Sequence, residues 1–539
     1  MTRRFELARS IPSRKRLAAL MLALAAASCT AGPRTTLAEE NAPGRPNVLL
    51  ILCDDLGYSD LGCYGGEIRT PNLDQLAEQG TRFTQFYNCA VCVMTRAALL
   101  TGLHPRQGSG SGRLLRENMV TLGEVMRDAG YATALVGKWH LGSQSPKRPI
   151  DRGFDDYYGL LSGCCNYFDP SRRDPVFYNG GNRRPFAHNE QAVTEFPAGF
   201  YTTDAFSDYA VATLKGFAAG DKPFFLHLCY SAPHFPLHAP EEDIARYRGK
   251  YDDGYFKLRE RRFARQRELG IVDAAWKLSP PDKKLGDWRY DYEITPWEEV
   301  EDLEREKRRM EVYAAMVDRL DRGVGRVLNA LDELGVADNT LVMFLSDNGG
   351  CATLPADLAG MKEYNREMPG GIDTYDFCGP GWGWAQCTPL RRYKTWNHEG
   401  GIATPLIARW PGVVKPGGIT REVGHVVDLM PTLLELAGSE YPQTRDGNTI
   451  TPVEGKSLVP VLRGGKRQGH DHLCWSLYGS RAVRQGDWKL TWGTTAKRWE
   501  LFDMRADRTE TNDLSARHPD RVEAMSALWH AWAKTCELE

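Results

Sequence analysis

The chain has 539 residues, 42% of them hydrophobic and 26% charged, and a formal net charge of −2. These proportions belong to a globular protein too long for one small core, which predicts a large domain with a smaller companion. The near balance of 68 basic and 70 acidic residues excludes a dedicated nucleic-acid binder, so partners have to be read from a site.

At the N-terminus Arg3, Arg4, Arg14, Lys15 and Arg16 precede the apolar run Leu17–Ala27 and then small residues. A basic segment, an apolar stretch too short to span a bilayer and a small-residue zone predict a signal peptide and linker over 1–40, and hence export. Ala26-Ala27-Ser28-Cys29 resembles a bacterial lipoprotein cleavage box, with Ala26 where a larger aliphatic is usual. It predicts either a lipid anchor at Cys29 or ordinary cleavage nearby, and so a periplasmic or outer-membrane-anchored protein. No later run is long and apolar enough for a transmembrane span. Setting Cys29 and Cys92 aside from the 13 cysteines leaves an odd eleven. At least one more thiol is therefore free, and pairings cannot be read from the sequence.

Asn47–Cys53 is a continuous apolar run, as in a fully buried parallel strand, and it stops on Asp54-Asp55. Three later runs stop in the same way. Ala132–Val136 leads into Lys138-Trp139-His140, Phe224–Leu228 into Pro233-His234, and Thr340–Leu345 into Ser346-Asp347-Asn348. If the four share one parallel sheet, their ends converge on one rim, where open α/β sheets place their ligands. Helical patterns separate the runs: Thr121–Gly130, and the stripe Met310, Tyr313, Val317, Leu320, Val324, Val327 and Leu331. Tyr247–Lys307 is dense in charge and reads as a solvated helical insertion. Residues 351–388, rich in Gly, Pro and aromatics, form a long loop expected to cover the site. Lys394 follows, ahead of a strand around Pro405–Arg409. Beyond Asp428, a helix over Pro431–Ala437, short strands at Ser480–Arg484 and Trp488–Leu490, and a helix over Val522–Ala533 predict a small α+β subdomain. The fold class is α/β: a large mixed, mostly parallel sheet flanked by helices over 45–430, with a smaller C-terminal α+β subdomain over 431–539.

Residues 88–102 set Cys92 four positions before Arg96 and then turn apolar, which predicts a helix starting just after Cys92. Both side chains would lie near a helix N-terminus, where free N–H groups favour an anion. Alone, the pair reads as a small buried thiol and a surface charge; the four strand ends are what give it meaning.

Together, Asn47–Asp55, Cys92–Gly102, Gly137–His140, Ala232–His234, Ser346–Gly349, Lys394–Pro411 with His398-Glu399-Gly400-Gly401, and Arg481–Leu490 resemble the type I sulfatases of the alkaline phosphatase superfamily. The likeness is to arylsulfatase-like enzymes and covers nearly all of the mature chain. It implies an alkaline phosphatase-like fold and hydrolysis of a sulfate ester, on a sulfated carbohydrate or an aryl sulfate. By that resemblance a maturation enzyme oxidises Cys92 to formylglycine, whose hydrate is the nucleophile, and Arg96 helps hold it. Asp54, Asp55, Asp347 and Asn348, with the group derived from Cys92, match the calcium ligands. Lys138, His140, His234 and Lys394 match the residues that bind sulfate and move protons. Three carboxylates and an amide are hard oxygen donors, which suit Ca²⁺, and Mg²⁺ after it, over Zn²⁺. The departure is Met94, where the family has Pro or Ala; Thr95 for Ser is milder. Two other readings stay open: a phosphate or phosphonate ester hydrolase of the same superfamily, and a non-catalytic carbohydrate-binding protein of the sulfatase fold in which Cys92 stays a thiol.

Overall fold

Every side chain of Val48–Asp54 is buried, and the strand they form, β1 (Asn47–Asp54), lies in the middle of the main sheet. The computed structural model describes residues 45–105, 115–284, 286 and 288–539; the expected signal segment, with Cys29, lies outside them. The other strands of the sheet are β2 (Thr81–Tyr87), β3 (Ala132–Gly137), β4 (Asp156–Leu160), β5 (Phe186–His188), β6 (Gln191–Ala192), β7 (Phe224–Pro233), β8 (Thr340–Ser346), β9 (Ala403–Arg409), β10 (Gly418–Thr420) and β11 (Gly424–His425). Their order is β10-β2-β9-β8-β1-β7-β3-β4-β5-β6, with β11 also beside β2. Strands β8, β1, β7, β3 and β4 are parallel, and β9 runs antiparallel to β8 and β2, which makes the sheet mixed. The four runs that stop on polar residues are therefore neighbours, β8-β1-β7-β3, and their C-terminal ends share one rim.

The helices used below are α1 (Pro71–Gln79), α2 (Cys92–Thr101), α3 (Leu122–Asp128), α4 (Thr202–Ala218), α5 (Gly254–Glu268), α6 (Leu303–Glu333), α7 (Leu429–Ala437) and α8 (Pro519–Thr535). Because strand side chains alternate, β1 serves two cores. Leu49 and Ile51 face a core with Phe206 and Leu214 of α4 and the predicted stripe of α6; Val48, Leu50 and Leu52 face one with α2, α3 and α7. Helix α3 starts where Thr121 and Glu124 cap each other reciprocally, which satisfies free N–H groups at its N-terminus.

The segment 247–307 differs from its sequence expectation. It is not merely solvated: Arg259, Arg262 and Gln266 of α5 are buried. Arg262 pairs with Asp60 at 2.7 Å and with Glu67 at 2.7 Å, and the Arg259 guanidinium lies 3.9 Å from the centre of the Trp384 ring. Charge density along a chain does not distinguish a solvated cation from one paired inside, because the partner is set by the tertiary fold.

After a short hairpin, β12 (Thr444–Arg445) with β13 (Asn448–Thr449), the chain forms a separate antiparallel sheet. Its strands are β14 (Leu473–Leu477), β15 (Ser480–Gln485), β16 (Trp488–Trp492) and β17 (Trp499–Asp503), in that order. Helix α8 packs Met525, Trp529 and Ala533 against Cys474, Val483, Leu490 and Leu501 of this sheet. The twelve described cysteines are all buried. Among the described residues no helix is long and apolar enough to cross a membrane.

Candidate active site

The rim of the parallel strands holds a dense charged cluster. Asp54 closes β1, and the next residue, Asp55, turns the chain at φ 67°. That left-handed conformation is rare outside glycine and is tolerated best by Asp and Asn. The Tyr313 hydroxyl of α6 donates to the Asp55 carbonyl at 3.1 Å and holds the turn. At the end of β8, Ser346 accepts from the Leu56 N–H at 3.1 Å and donates to the Asn348 carbonyl at 3.0 Å, which fixes Asp347 and Asn348 beside β1.

Around these turns the side chains pair closely. Lys138, one residue past β3, donates to Asp54 Oδ2, and Lys394 donates to Asp55 Oδ1. Arg96, one turn into α2, donates Nε to Asp347 Oδ2 at 3.0 Å and Nη1 to the Lys138 carbonyl at 2.8 Å. Asn348 Nδ2 donates to Asp55 Oδ1 at 2.7 Å. His234 Nε2 lies 3.5 Å from Asp55 Oδ2, and its Nδ1 lies 2.6 Å from the Phe235 carbonyl. Cys92 is the first residue of α2, and its sulfur lies 3.5 Å from His140 Nδ1. Lys394 comes from a different part of the chain, stitched in at two points: its N–H donates to the Gly350 carbonyl at 3.1 Å, and that of Thr395 to the Ala90 carbonyl at 2.8 Å. At the same seam a side chain on Gly349 would meet the Gly400 carbonyl at 1.8 Å, so only glycine fits there.

The structure thus brings Asp54, Asp55, Cys92, Arg96, Lys138, His140, His234, Asp347, Asn348 and Lys394 to one point. Burial opposes the Asp54 carboxylate, but Lys138 and then His234 hold it well below the usual range. Asp347 is pushed up, by burial and by the neighbouring charge of Asp54. Burial, with Lys138 beside it, keeps His140 well below the ordinary imidazole range, and burial lowers His234 to about 4. Burial raises the Cys92 thiol to about 11, although Lys138 and Lys394 oppose it. A thiol in that state is neutral at physiological pH and poor as a thiolate nucleophile.

Three oxygens of the cluster, Asp54 Oδ1, Asp55 Oδ2 and Asn348 Oδ1, are buried without a hydrogen-bond donor. Native proteins seldom leave such acceptors bare, and a hard divalent cation is the partner this donor set suits. Ligand atoms of Asp54, Asp55 and His234 lie within 4.8 Å of one another, as do those of Asp54, Cys92 and Asp347. The residues present fit a cation.

Sequence reasoning missed the supports. Tyr313 was visible only as part of an apolar stripe, and Ser346 only as a link between a strand and an Asp. A Cβ on Gly163 would lie 2.8 Å from both Cε1 and Nε2 of His140, yet Ser162-Gly163-Cys164-Cys165 carries no signal that would single the glycine out.

Comparison with known proteins finds relatives along most of the chain. A family model described as Sulfatase matches residues 46–439, and one described as N-sulphoglucosamine sulphohydrolase, C-terminal, matches residues 392–534. An uncharacterised sulfatase of Schizosaccharomyces pombe is 33% identical over 90% of this chain and 93% of its own. The arylsulfatase of Klebsiella aerogenes is 32% identical, over 77% of this chain and 92% of its own. Among solved structures, Ps i-CgsB in complex with k-i-k-neocarrahexaose superposes with a TM-score of 0.65 at 27% identity, covering 91% of this chain and 93% of that one.

Proposed function

This chain belongs to the sulfatase family and hydrolyses sulfate esters, and from that premise we propose that it acts through a formylglycine hydrate made from Cys92 and a calcium ion. The observation that carries the reading is the set of buried oxygens on Asp54, Asp55 and Asn348 that accept no hydrogen bond, beside a cysteine that is unfit to act as a thiolate. Asp54, Asp55, Asp347 and Asn348 would hold the cation, which when bound polarises sulfate oxygens. The hydrated aldehyde would supply one hydroxyl for attack on sulfur and a second whose deprotonation would expel the sulfate held on the first and restore the aldehyde.

The chain's own residues do the rest. Lys138 and Lys394 present fixed positive charge where the sulfate oxygens gather charge in the transition state. Arg96 braces Asp347 and the Lys138 backbone and so holds the start of α2 in place. His140 is neutral and 3.5 Å from the Cys92 sulfur, placed to take a proton from the group that replaces it. His234 protonates the leaving alcohol oxygen; the bound anionic ester favours its charged form, against the burial that lowers it. The carbohydrate in the Ps i-CgsB complex supports a sulfated carbohydrate as substrate, ahead of a small aryl sulfate. The basic and apolar start of the chain supports export to the periplasm, with or without a lipid at Cys29.

A second reading rests on Met94, which stands where the family motif has Pro or Ala: Cys92 stays a thiol and the protein binds without turnover. Mass spectrometry of the tryptic peptide containing Cys92, purified from the native host, separates the two. The aldehyde is expected, and an unmodified thiol overturns the formylglycine mechanism. Rates on nitrophenyl sulfate and nitrophenyl phosphate then test the ester, and faster phosphate turnover would favour the phosphatase alternative.

A further inference from the structure

A pair of tyrosines near the site has no part in the chemistry above. The rings of Tyr290 and Tyr478 stack with centroids 5.6 Å apart and planes 24° from parallel. The Arg289 guanidinium lies 4.6 Å from the centre of the Tyr290 ring. Tyr478 is 52% exposed, unusual for so large a side chain. It is also strained. Tyr478 and Gly479 form the two-residue turn from β14 to β15, at φ 49° and 82°. Such turns favour Asn-Gly or Gly-Gly because both residues need positive φ, and a bulky aromatic in the first position is disfavoured. Strain of this kind clusters where a side chain has work beyond folding.

The platform is rigid and is tied to the site. Trp396 Nε1 donates to the Tyr290 carbonyl at 3.0 Å. Trp288 packs edge-on against both Tyr290 and Trp396, at 5.4 and 4.6 Å, and the Arg392 guanidinium covers Trp396 at 3.9 Å. Trp396 lies two residues past Lys394, so the same segment sets the sulfate-binding lysine and the platform. The Tyr478 hydroxyl is within electrostatic reach of Cys92 and Lys394; burial raises it, Cys92 adds to that, and Lys394 opposes it.

We propose that Tyr290 and Tyr478 form a stacking surface for the sugar ring adjoining the one that carries the scissile sulfate, with Arg289 binding an anionic group on that neighbouring ring. The inference rests on the sulfate-ester reading above and deepens it: the substrate is an anionic oligosaccharide. Pyranose rings offer C–H faces to aromatic rings, and the planar guanidinium matches a carboxylate or a sulfate.

The test is calorimetric binding to the full chain, which needs no turnover. The probes are galactose 6-sulfate, a chondroitin 6-sulfate hexasaccharide, whose neighbouring sugar carries a carboxylate, and an ι-carrageenan hexasaccharide, whose neighbouring sugar carries a sulfate. At least one hexasaccharide should bind about tenfold or more tighter than galactose 6-sulfate, and whichever it is identifies the anion. Arg289→Ala and Tyr478→Ala should each remove about tenfold of that gain, while Tyr478→Phe keeps it. Tyr478→Asn, suited to the left-handed turn, should raise Tm and still lose affinity, which a purely structural tyrosine would not do. The proposal is overturned if neither hexasaccharide outbinds the monosaccharide, or if the variants bind as wild type does. Failure of nitrophenyl sulfate turnover would instead count against the sulfatase mechanism, leaving the binding result to stand alone.

Discussion

Asn348 donates its side-chain nitrogen to Asp55 at 2.7 Å, and this leaves its own amide oxygen buried without a donor. The amide is thus held in one orientation, nitrogen to the carboxylate, oxygen free to bind. Asp54 Oδ1 and Asp55 Oδ2 are in the same condition, so three oxygens of the cluster are left for a ligand that accepts lone pairs.

Calcium should therefore stabilise the folded chain. At a concentration about 100 times the dissociation constant, the gain is about 2.7 kcal/mol. It is read as a rise in Tm over protein treated with a chelator, larger for Ca²⁺ than for Mg²⁺. Asp54→Asn should abolish most of the shift. A Tm that does not respond to either ion would remove the metal from the reading.

A second buried network predicts a pH dependence. Glu399, in the segment just past Lys394, is paired with Lys489 of β16 at 2.8 Å and with Arg508 at 2.7 Å, and accepts from the Tyr87 hydroxyl at 2.9 Å. Burial opposes its charge, but Lys489 and Arg508 hold it down to about 2, below the value of about 4.3 in an unfolded chain. A depressed carboxylate stabilises in full above the unfolded value and loses that contribution as pH falls through the folded one. Ionised Glu399 therefore contributes stability at neutral pH, on the order of a few kcal/mol, which is lost between about pH 4 and 2. Glu399→Gln should cost about 3–5 kcal/mol at pH 7 by leaving buried cations short of a partner. Urea midpoints should show the variant less sensitive to acid in that window; parallel curves for both proteins would refute this.

The contrast between these two clusters shows what a sequence can carry. The strand ends were legible because each apolar run is buried on both faces and stops abruptly on Asp, Lys or His, a local signal. The expected metal ligands and formylglycine came from family resemblance, and the bare oxygens of Asp54, Asp55 and Asn348 give the proposed cation a physical reason. The Glu399 network, the buried Arg262 and the Tyr478 platform were not legible. Arg262 meets Asp60 across 202 residues of chain, and no local pattern distinguishes such a cation from a solvated one. Tyr478 is conspicuous only once its backbone angle and exposure are known.

Arg96 should not tolerate replacement by lysine. One guanidinium spans Asp347 and the Lys138 carbonyl, and a single ammonium cannot reproduce that fork. Arg96→Ala should cost about 3–5 kcal/mol, since the buried Asp347 loses its guanidinium partner. Arg96→Lys should recover part of the stability, measured by urea unfolding, but little of the activity on nitrophenyl sulfate. Full activity in the lysine variant would show that charge alone suffices.

Position and chemistry can be separated at His140. The nearest atoms to a methyl added at Gly163 all belong to the imidazole, with Cε1 and Nε2 at 2.8 Å. The position carries no left-handed backbone requirement, so Gly163→Ala should fold normally and displace only the ring, which now stands 3.5 Å from the Cys92 sulfur. A shift of about 1 Å in a reacting group lowers rates by roughly 100-fold. The variant should therefore keep Tm near wild type and lose about that much in kcat on nitrophenyl sulfate, with KM little changed. If His140 were a packing residue instead, kcat would survive the methyl group and only Tm would move.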